Sequence, residues 1–299
     1  MIISIHHLTR YTSPEEVHFT PHRVLLRPRE SPSLRVTSMN LEIRPAASLK
    51  WMTDSFENQI AALYFSEPSN EILVDARIEL ELQSENPFDF IIEPYAELYP
   101  FSYNPSERKA LGPYLEVGSP SDCAKILPWI WQEFAHLPDQ SLEVLTQLNR
   151  RIHERFVYIR RDEEGVQSPD ETIVKGSGSC RDFAHLFVEI CRQLGFAARF
   201  ASGYLYEPPA DAGSESFENV AEGSMHACAQ VFLPGAGWKG FDPTNGMLAN
   251  QYFIPSAVAT NPKLTSPIQG SYSHKEGNIP STMEVSLSVK RIDSGEIPE

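Results

Sequence analysis

Gly176-Ser177-Gly178-Ser179-Cys180-Arg181-Asp182-Phe183-Ala184-His185-Leu186 decides the fold. A Gly/Ser turn runs directly into an amphipathic helix. Phe183, Phe187, Ile190 and Leu194 recur at steps of four, three and four, which trace one helix face. Gly195 stops the pattern just past its last residue. Cys180 therefore stands at, or one residue from, the positive end of the helix. Unpaired N–H groups and the helix dipole favour an anion there. The anion a cysteine can offer is its thiolate. The flanking glycines allow a close backbone approach that a side chain would block.

A reactive thiol also needs a base and a group to orient that base. Downstream, His226 opens the apolar run Ala227-Cys228-Ala229-Gln230-Val231-Phe232-Leu233. Gly235-Ala236-Gly237 makes a turn, and Trp238-Lys239-Gly240-Phe241-Asp242 reads as a second short strand that Pro243 ends. A hairpin of this length brings His226 and Asp242 to the same end. A carboxylate can then hold one imidazole nitrogen while the other faces a thiol.

Three segments resemble the transglutaminase-like cysteine enzymes, in their bacterial cysteine-protease branch. They are Gly-Ser-Cys-Arg-Asp-Phe-Ala-His-Leu at 178–186, Ala-Arg-Phe-Ala-Ser-Gly-Tyr-Leu at 198–205 and Gly-Trp-Lys-Gly-Phe-Asp-Pro-Thr at 237–244. Pro28-Arg29 and Asp54-Ser55-Phe56-Glu57-Asn58 resemble the β-rich domain that precedes the core in this branch. The resemblance implies an α+β fold: an N-terminal antiparallel β-sandwich domain, then a papain-like core with the cysteine helix packed on an antiparallel sheet. It implies Cys180 as nucleophile, His226 as base and acid, and Asp242 as orienting carboxylate. No cofactor and no metal is called for. The implied reaction is hydrolysis of a peptide or carboxamide bond through a Cys180 thioester. An amine-accepting transglutaminase and a catalytically degenerate binding scaffold are the alternatives. The chain departs from the family pattern at two places. Cys228 stands where an aromatic is usual, which changes the wall beside the imidazole. Gln230 stands where a glutamate is usual, which removes an ion pair.

With 299 residues the chain can bury a full core. A formal charge of −15 argues against nucleic acid and against an anionic membrane surface as partner. No stretch is long and apolar enough to span a bilayer, and Met1 to His7 has no secretory character. A cytoplasmic chain with all four cysteines free is expected. The oligomeric state is not legible.

Three regions are expected: a β-rich domain over 1–86, a Pro/aromatic connector over 87–119 and the catalytic domain over 120–299. Strands are read at 24–28, 36–43, 60–65 and 72–82. The proline density of the connector argues against helix, and its aromatics against a floppy spacer. Helices are expected over 121–136, broken near Pro128, and from Ser141 to Phe156. Arg150, Arg151, Arg155, Arg160 and Arg161 read as a solvated basic face with Asp162, Glu163 and Glu164 as partners. His6, His7, His18 and His22 fit no compact metal-ligand set. Asp182 reads as a structural hydrogen-bonding group, and His185 points away from Cys180. Cys123 and Cys191 read as packed thiols. Residues 207–223, acidic and rich in Pro, Gly and Ser, are expected to form a lid over the site. Met283 to Val289 alternates like a strand and is expected to complete the core sheet.

Overall fold

The computed structural model describes residues 1–84, 86–161, 163–206, 225–250, 252–275, 277 and 279–292. The expected lid at 207–223, the Asp162 partner and the frayed end from Asp293 to Glu299 lie outside them. The first strands are β1 (Ile2–Phe19), β2 (His22–Val24), β3 (Leu34–Arg44), β4 (Ala47–Thr53), β5 (Gln59–Phe65) and β6 (Ser69–Leu82). The middle holds α1 (Pro94–Glu97), α2 (Pro105–Leu115), α3 (Pro120–Cys123), α4 (Ile126–Glu133) and α5 (Ser141–Arg155). Then come β7 (Val157–Tyr158), α6 (Pro169–Lys175), β8 (Ser177–Gly178), α7 (Cys180–Gln193) and β9 (Ala198–Leu205). The remaining strands are β10 (His226–Leu233), β11 (Gly237–Asp242), β12 (Met247–Leu248), β13 (Phe253–Ala259), β14 (Ile268–Gln269), β15 (Tyr272–Ser273) and β16 (Thr282–Ile292).

The architecture is mixed α+β with antiparallel sheets. In the core, five strands run in the order β12-β11-β10-β9-β13. α7 lies on this sheet, with Phe183, Phe187 and Ile190 buried against Ala198, Ala229, Val231 and Phe241. The expected face of the helix is therefore the one that packs. α4 and α5 cover its other side through Ile126, Ile130, Leu145, Leu148 and Ile152. Burying such aliphatic side chains contributes roughly 1.5–3 kcal/mol each.

The N-terminal strands depart from expectation. β1 continues past an irregularity between Thr12 and Val17, pairing first with β6 and β16 and then with β15. A second sheet runs β14-β2-β5-β4. The two sheets curve about one core as a half-barrel rather than a self-contained sandwich. That core includes Tyr204, Tyr206 and Ile254 from β9, its flank and β13. Nor does Met283–Val289 complete the core sheet: it belongs to β16, which pairs with β1 from Ile2↔Ile292 to Thr12↔Thr282. β1 was a central strand with one edge unpaired, and β16 satisfies that edge.

The connector also differs. Pro94 and Pro105 occupy first helical positions, where the missing N–H costs nothing. Asn104 accepts from Glu107 N–H at 3.0 Å and Glu107 returns the bond to Asn104 N–H at 3.1 Å, so α2 starts on a capping box. The aromatics pack mainly on the core, and Tyr114 bridges it to the N-terminal part. Tyr99 stacks on Phe196 at 5.3 Å, Tyr103 Oη donates to Phe232 O at 2.8 Å, and Tyr114 meets both Phe56 and Trp238. The expected 121–136 helix divides at Ala124–Lys125, not at Pro128, which sits in the first turn of α4 where proline is tolerated. Among the described residues no helix is long and apolar enough to cross a membrane.

The N-terminal motif residues prove to be a seam. Asn58 is fully buried, donates Nδ2–H to Val258 O at 2.8 Å and accepts Val258 N–H at 2.9 Å. Arg29 N–H donates to Pro255 O at 2.8 Å, and its guanidinium to Asn58 Oδ1 at 2.8 Å. These bonds seat the half-barrel against β13.

Candidate active site

α7 positions the sulfur. Its first residue is Cys180, preceded by Ser179 in extended backbone. Asp182 reaches back to accept the Ser179 N–H and hydroxyl, both at 2.8 Å. The same carboxylate takes Arg161 Nη1 at 2.8 Å on each oxygen and the Gln167 N–H at 2.8 Å. Burial alone would raise its pKa, but the Ser179, Arg161 and Gln167 donors hold it below the usual range. Asp182 is thus the structural group the sequence suggests. Gly178 is what lets it fit, because a Cβ there would stand 2.8 Å from the Asp182 Cβ. Arg161 keeps one expected partner, Glu163 at 3.6 Å, but departs from the solvated cluster by binding buried Asp182, while Arg155 and Arg151 pair with Glu133 at 2.7 and 3.7 Å.

The hairpin positions the other two groups. β10 and β11 pair from Ala229↔Phe241 to Leu233↔Gly237, which leaves His226 and Asp242 at one end. His226 Nε2 lies 2.8 Å from Asp242 Oδ2. Asp242 Oδ1 accepts the N–H groups of Thr244 at 3.0 Å and Asn245 at 3.2 Å, and Oδ2 accepts Asn245 Nδ2–H at 2.8 Å. Opposite His226 on β9 is Gly203, where a Cβ would collide with Ile254 O at 2.2 Å. Burial works against charge on the His226 ring. The Asp242 charge and hydrogen bond, with the Cys228 and Cys180 thiols beside the ring, nonetheless hold its pKa well above the ordinary value. Burial pushes the Asp242 carboxyl up, and His226 and Asn245 more than reverse this. The arrangement favours an imidazolium–carboxylate pair.

His226 Nδ1 is buried and has no hydrogen-bond partner of good geometry, while the Cys180 thiol stands within interaction range of the ring. Cys180 is partly exposed and packs against Ala184, Phe200 and Ala227. All four cysteines are free, and the other three are buried. Burial pushes Cys123 and Cys228 up to about 12, and Cys191 well above its ordinary range. Tyr158 borders the same space: burial, then the charge of Cys180, raises its hydroxyl pKa. His185 Nδ1 turns to Gln167 O at 3.0 Å, away from the sulfur, as expected.

Sequence reasoning misses the layer behind Asp242. Asn149 is fully buried on α5 and donates Nδ2–H to Met247 O at 2.9 Å and Asp242 O at 3.3 Å. His153 Nδ1 lies 2.7 Å from Thr244 O. The available signal was an asparagine inside the Leu145–Leu148–Ile152 stripe. At the first departure, Cys228 is fully buried beside His226. At the second, Gln230 Oε1 accepts Arg199 Nε–H at 2.8 Å, so a charge-assisted hydrogen bond to a neutral amide stands in for an ion pair. Arg199 also lies 4.0 Å from the Trp238 ring centre. His6, His7, His18 and His22 do not converge on a metal-ligand set among the described residues.

The bacterial transglutaminase-like N-terminal region matches residues 3–81, and the transglutaminase-like superfamily core matches residues 131–243. The uncharacterized protein Rv2569c of Mycobacterium tuberculosis is 26% identical over 294 residues, 95% of this chain and 90% of its own length. The uncharacterized protein ML0607 of Mycobacterium leprae is 32% identical over 115 residues, 38% of each chain. Among solved structures, "a Putative Cysteine Protease from Cytophaga hutchinsonii" shares the fold with a TM-score of 0.72 at 19% identity, over 98% of this chain and 92% of that one. The chain belongs to the transglutaminase-like superfamily, in the bacterial form whose core follows a β-rich N-terminal region.

Proposed function

We propose that the chain is a thiol acyl-transfer enzyme that hydrolyses a peptide or carboxamide bond, with Cys180 as nucleophile, His226 as base and acid, and Asp242 as orienting carboxylate. The observation that carries this reading is the 2.8 Å His226 Nε2–Asp242 contact, with Nδ1 left unpartnered beside Cys180. Asp242 fixes the ring so that its free nitrogen serves the thiol. The fold neighbour's description as a "Putative Cysteine Protease" supports the same class.

In the reaction, the Cys180 thiolate attacks the carbonyl carbon and the imidazolium holds the thiol proton. The Cys180 N–H opens α7, where it has no intrahelical acceptor, and is the first candidate donor to the developing oxyanion. The tetrahedral intermediate collapses, His226 gives its proton to the leaving amine, and a thioester remains. Water then attacks the thioester, with His226 taking its proton and returning it to Cys180. Four free thiols fit a reducing compartment such as the cytoplasm.

The test is a screen of peptide and amide substrates against the native chain with Cys180→Ala as blank. Iodoacetamide labelling near pH 6 gives a substrate-free readout. Cys180 should label selectively, and His226→Ala should slow it by roughly 10²-fold or more. Labelling no faster than at Cys123 or Cys191 would make the chain a binding scaffold. Hydroxylamine trapping during turnover separates amine transfer from hydrolysis.

A further inference from the structure

Cys228 is a nucleophilic side chain at this site that acyl transfer leaves unused. It lies two residues after His226 on β10, so both side chains leave the strand on one face. Its sulfur, a ring nitrogen of His226 and a carboxylate oxygen of Asp242 lie within 4.8 Å of one another. Cys228 is fully buried, and His226 and Asp242 are only 2% and 4% exposed. Thiolate, imidazole and carboxylate together form the donor set of a borderline-soft divalent cation, zinc first.

The spacing suits such an ion. Zinc bonds of about 2.0–2.3 Å place tetrahedral donors roughly 3.3–3.8 Å apart, so the three atoms need shift by about an ångström at most. The carboxylate is already oriented from behind by the Thr244 and Asn245 amides at 3.0 and 3.2 Å. Outer hydrogen bonds of this kind fix a metal ligand's direction. The strand spacing holds Cys228 and His226 in register without a loop to order.

We propose that Cys228, His226 and Asp242 form an inhibitory zinc site that switches the acyl-transfer centre off. The inhibitory part rests on the role proposed for His226; the binding part does not. Starting from the imidazolium, the metal replaces the proton that Nε2 shares with Asp242 and the thiol proton of Cys228. Two protons leave, metal–nitrogen, metal–sulfur and metal–oxygen bonds form, and nothing is oxidised or reduced. The ring keeps its proton on Nδ1. A ring coordinated at Nε2 and protonated at Nδ1 has no lone pair with which to take the Cys180 proton.

The test titrates the full chain, reduced and stripped of metal by a chelator, with Co²⁺. The expected result is a thiolate-to-cobalt absorption band that saturates at one equivalent and is displaced by Zn²⁺. The band should vanish in Cys228→Ser and in Cys228→Ala, both checked for folding by circular dichroism. It should persist in Cys180→Ala and Cys123→Ser. Zinc should slow Cys180 alkylation in the native chain, reversibly on chelation, and the zinc concentration required should rise at least about tenfold in Cys228→Ser. Absence of the band, or a band that survives in the folded Cys228 variants or needs Cys180, would overturn the proposal. A band without any peptide or amide hydrolysis would leave the metal site standing and remove the proposed reaction.

Discussion

Replacing Asp182 by alanine tests how Cys180 is held. The carboxylate is fully buried and takes both contacts from Arg161, one from Gln167 N–H and two from Ser179, each at 2.8 Å. Its removal leaves a guanidinium that is only 14% exposed with exposed Glu163, at 3.6 Å, as its remaining acidic partner. Breaking a buried pair from one side costs about 3–5 kcal/mol. Each orphaned buried amide costs about 1–3 kcal/mol on its own. These penalties share the same atoms and overlap, so we expect about 4 kcal/mol in total. That corresponds to a Tm lower by roughly 10 °C. Asp182→Asn keeps the shape and one acceptor oxygen, and should cost about 2 kcal/mol. Urea unfolding measures both losses, and iodoacetamide labelling reports whether Cys180 has moved. Because the folded pKa of Asp182 is lowered, its contribution is present above the unfolded value and fades as pH falls. The gap between native chain and variant should therefore narrow below about pH 4. A stability change under about 1 kcal/mol, with labelling unaltered, would refute the role assigned to this turn.

Three further outcomes follow from other parts of the chain. Asn58→Ala removes both bonds to Val258 and leaves a buried amide orphaned, so stability should drop by about 2–4 kcal/mol; an unchanged urea midpoint counts against the seam. Burial, with the charge of His6 beside it, lowers the His7 pKa from 6.5 to about 4, so the unfolded chain binds the extra proton first. About 3 kcal/mol of stability, complete above the unfolded pKa, should be lost as pH falls from 6.5 to 4. Comparing native chain with His7→Asn at both pH values isolates that share, and equal slopes would contradict it. Gln230→Glu gives Arg199 a carboxylate where an amide oxygen now sits at 2.8 Å. Both side chains are only half-buried, so the gain should be at most about 1 kcal/mol and should shrink in salt; a larger, salt-independent gain would mean that the site is drier than its exposure indicates.

The site was more legible than the scaffold that carries it. α7 announces itself by apolar spacing and a glycine stop, and the hairpin by two apolar runs around Gly235 and Gly237. Both are local patterns, and each placed its residue where the structure does. Arg161 was read by its neighbours in sequence, and Glu163 does pair with it at 3.6 Å, but its closer partner, Asp182, lies 21 residues on. The helix at Pro105 was discounted because proline blocks a helix interior, while the Asn104–Glu107 box that licenses a first-position proline went unread. β1 was missed altogether: its stretch from Thr12 to Val17, with Pro14, Glu15 and Glu16, breaks the alternation that betrays a strand. The partner of β16 is a question of register across almost the whole chain, and no window of local periodicity contains it.

That partnership governs the order in which the molecule can close. Ile2 and Ile292 are register neighbours, so β1 keeps one flank open until a strand about 290 positions further on is in place. The sheet that carries His226 and Asp242, from β9 to β13, can consolidate before that moment. Folding can thus pass through a stage in which the candidate site is assembled while β1 still awaits β16.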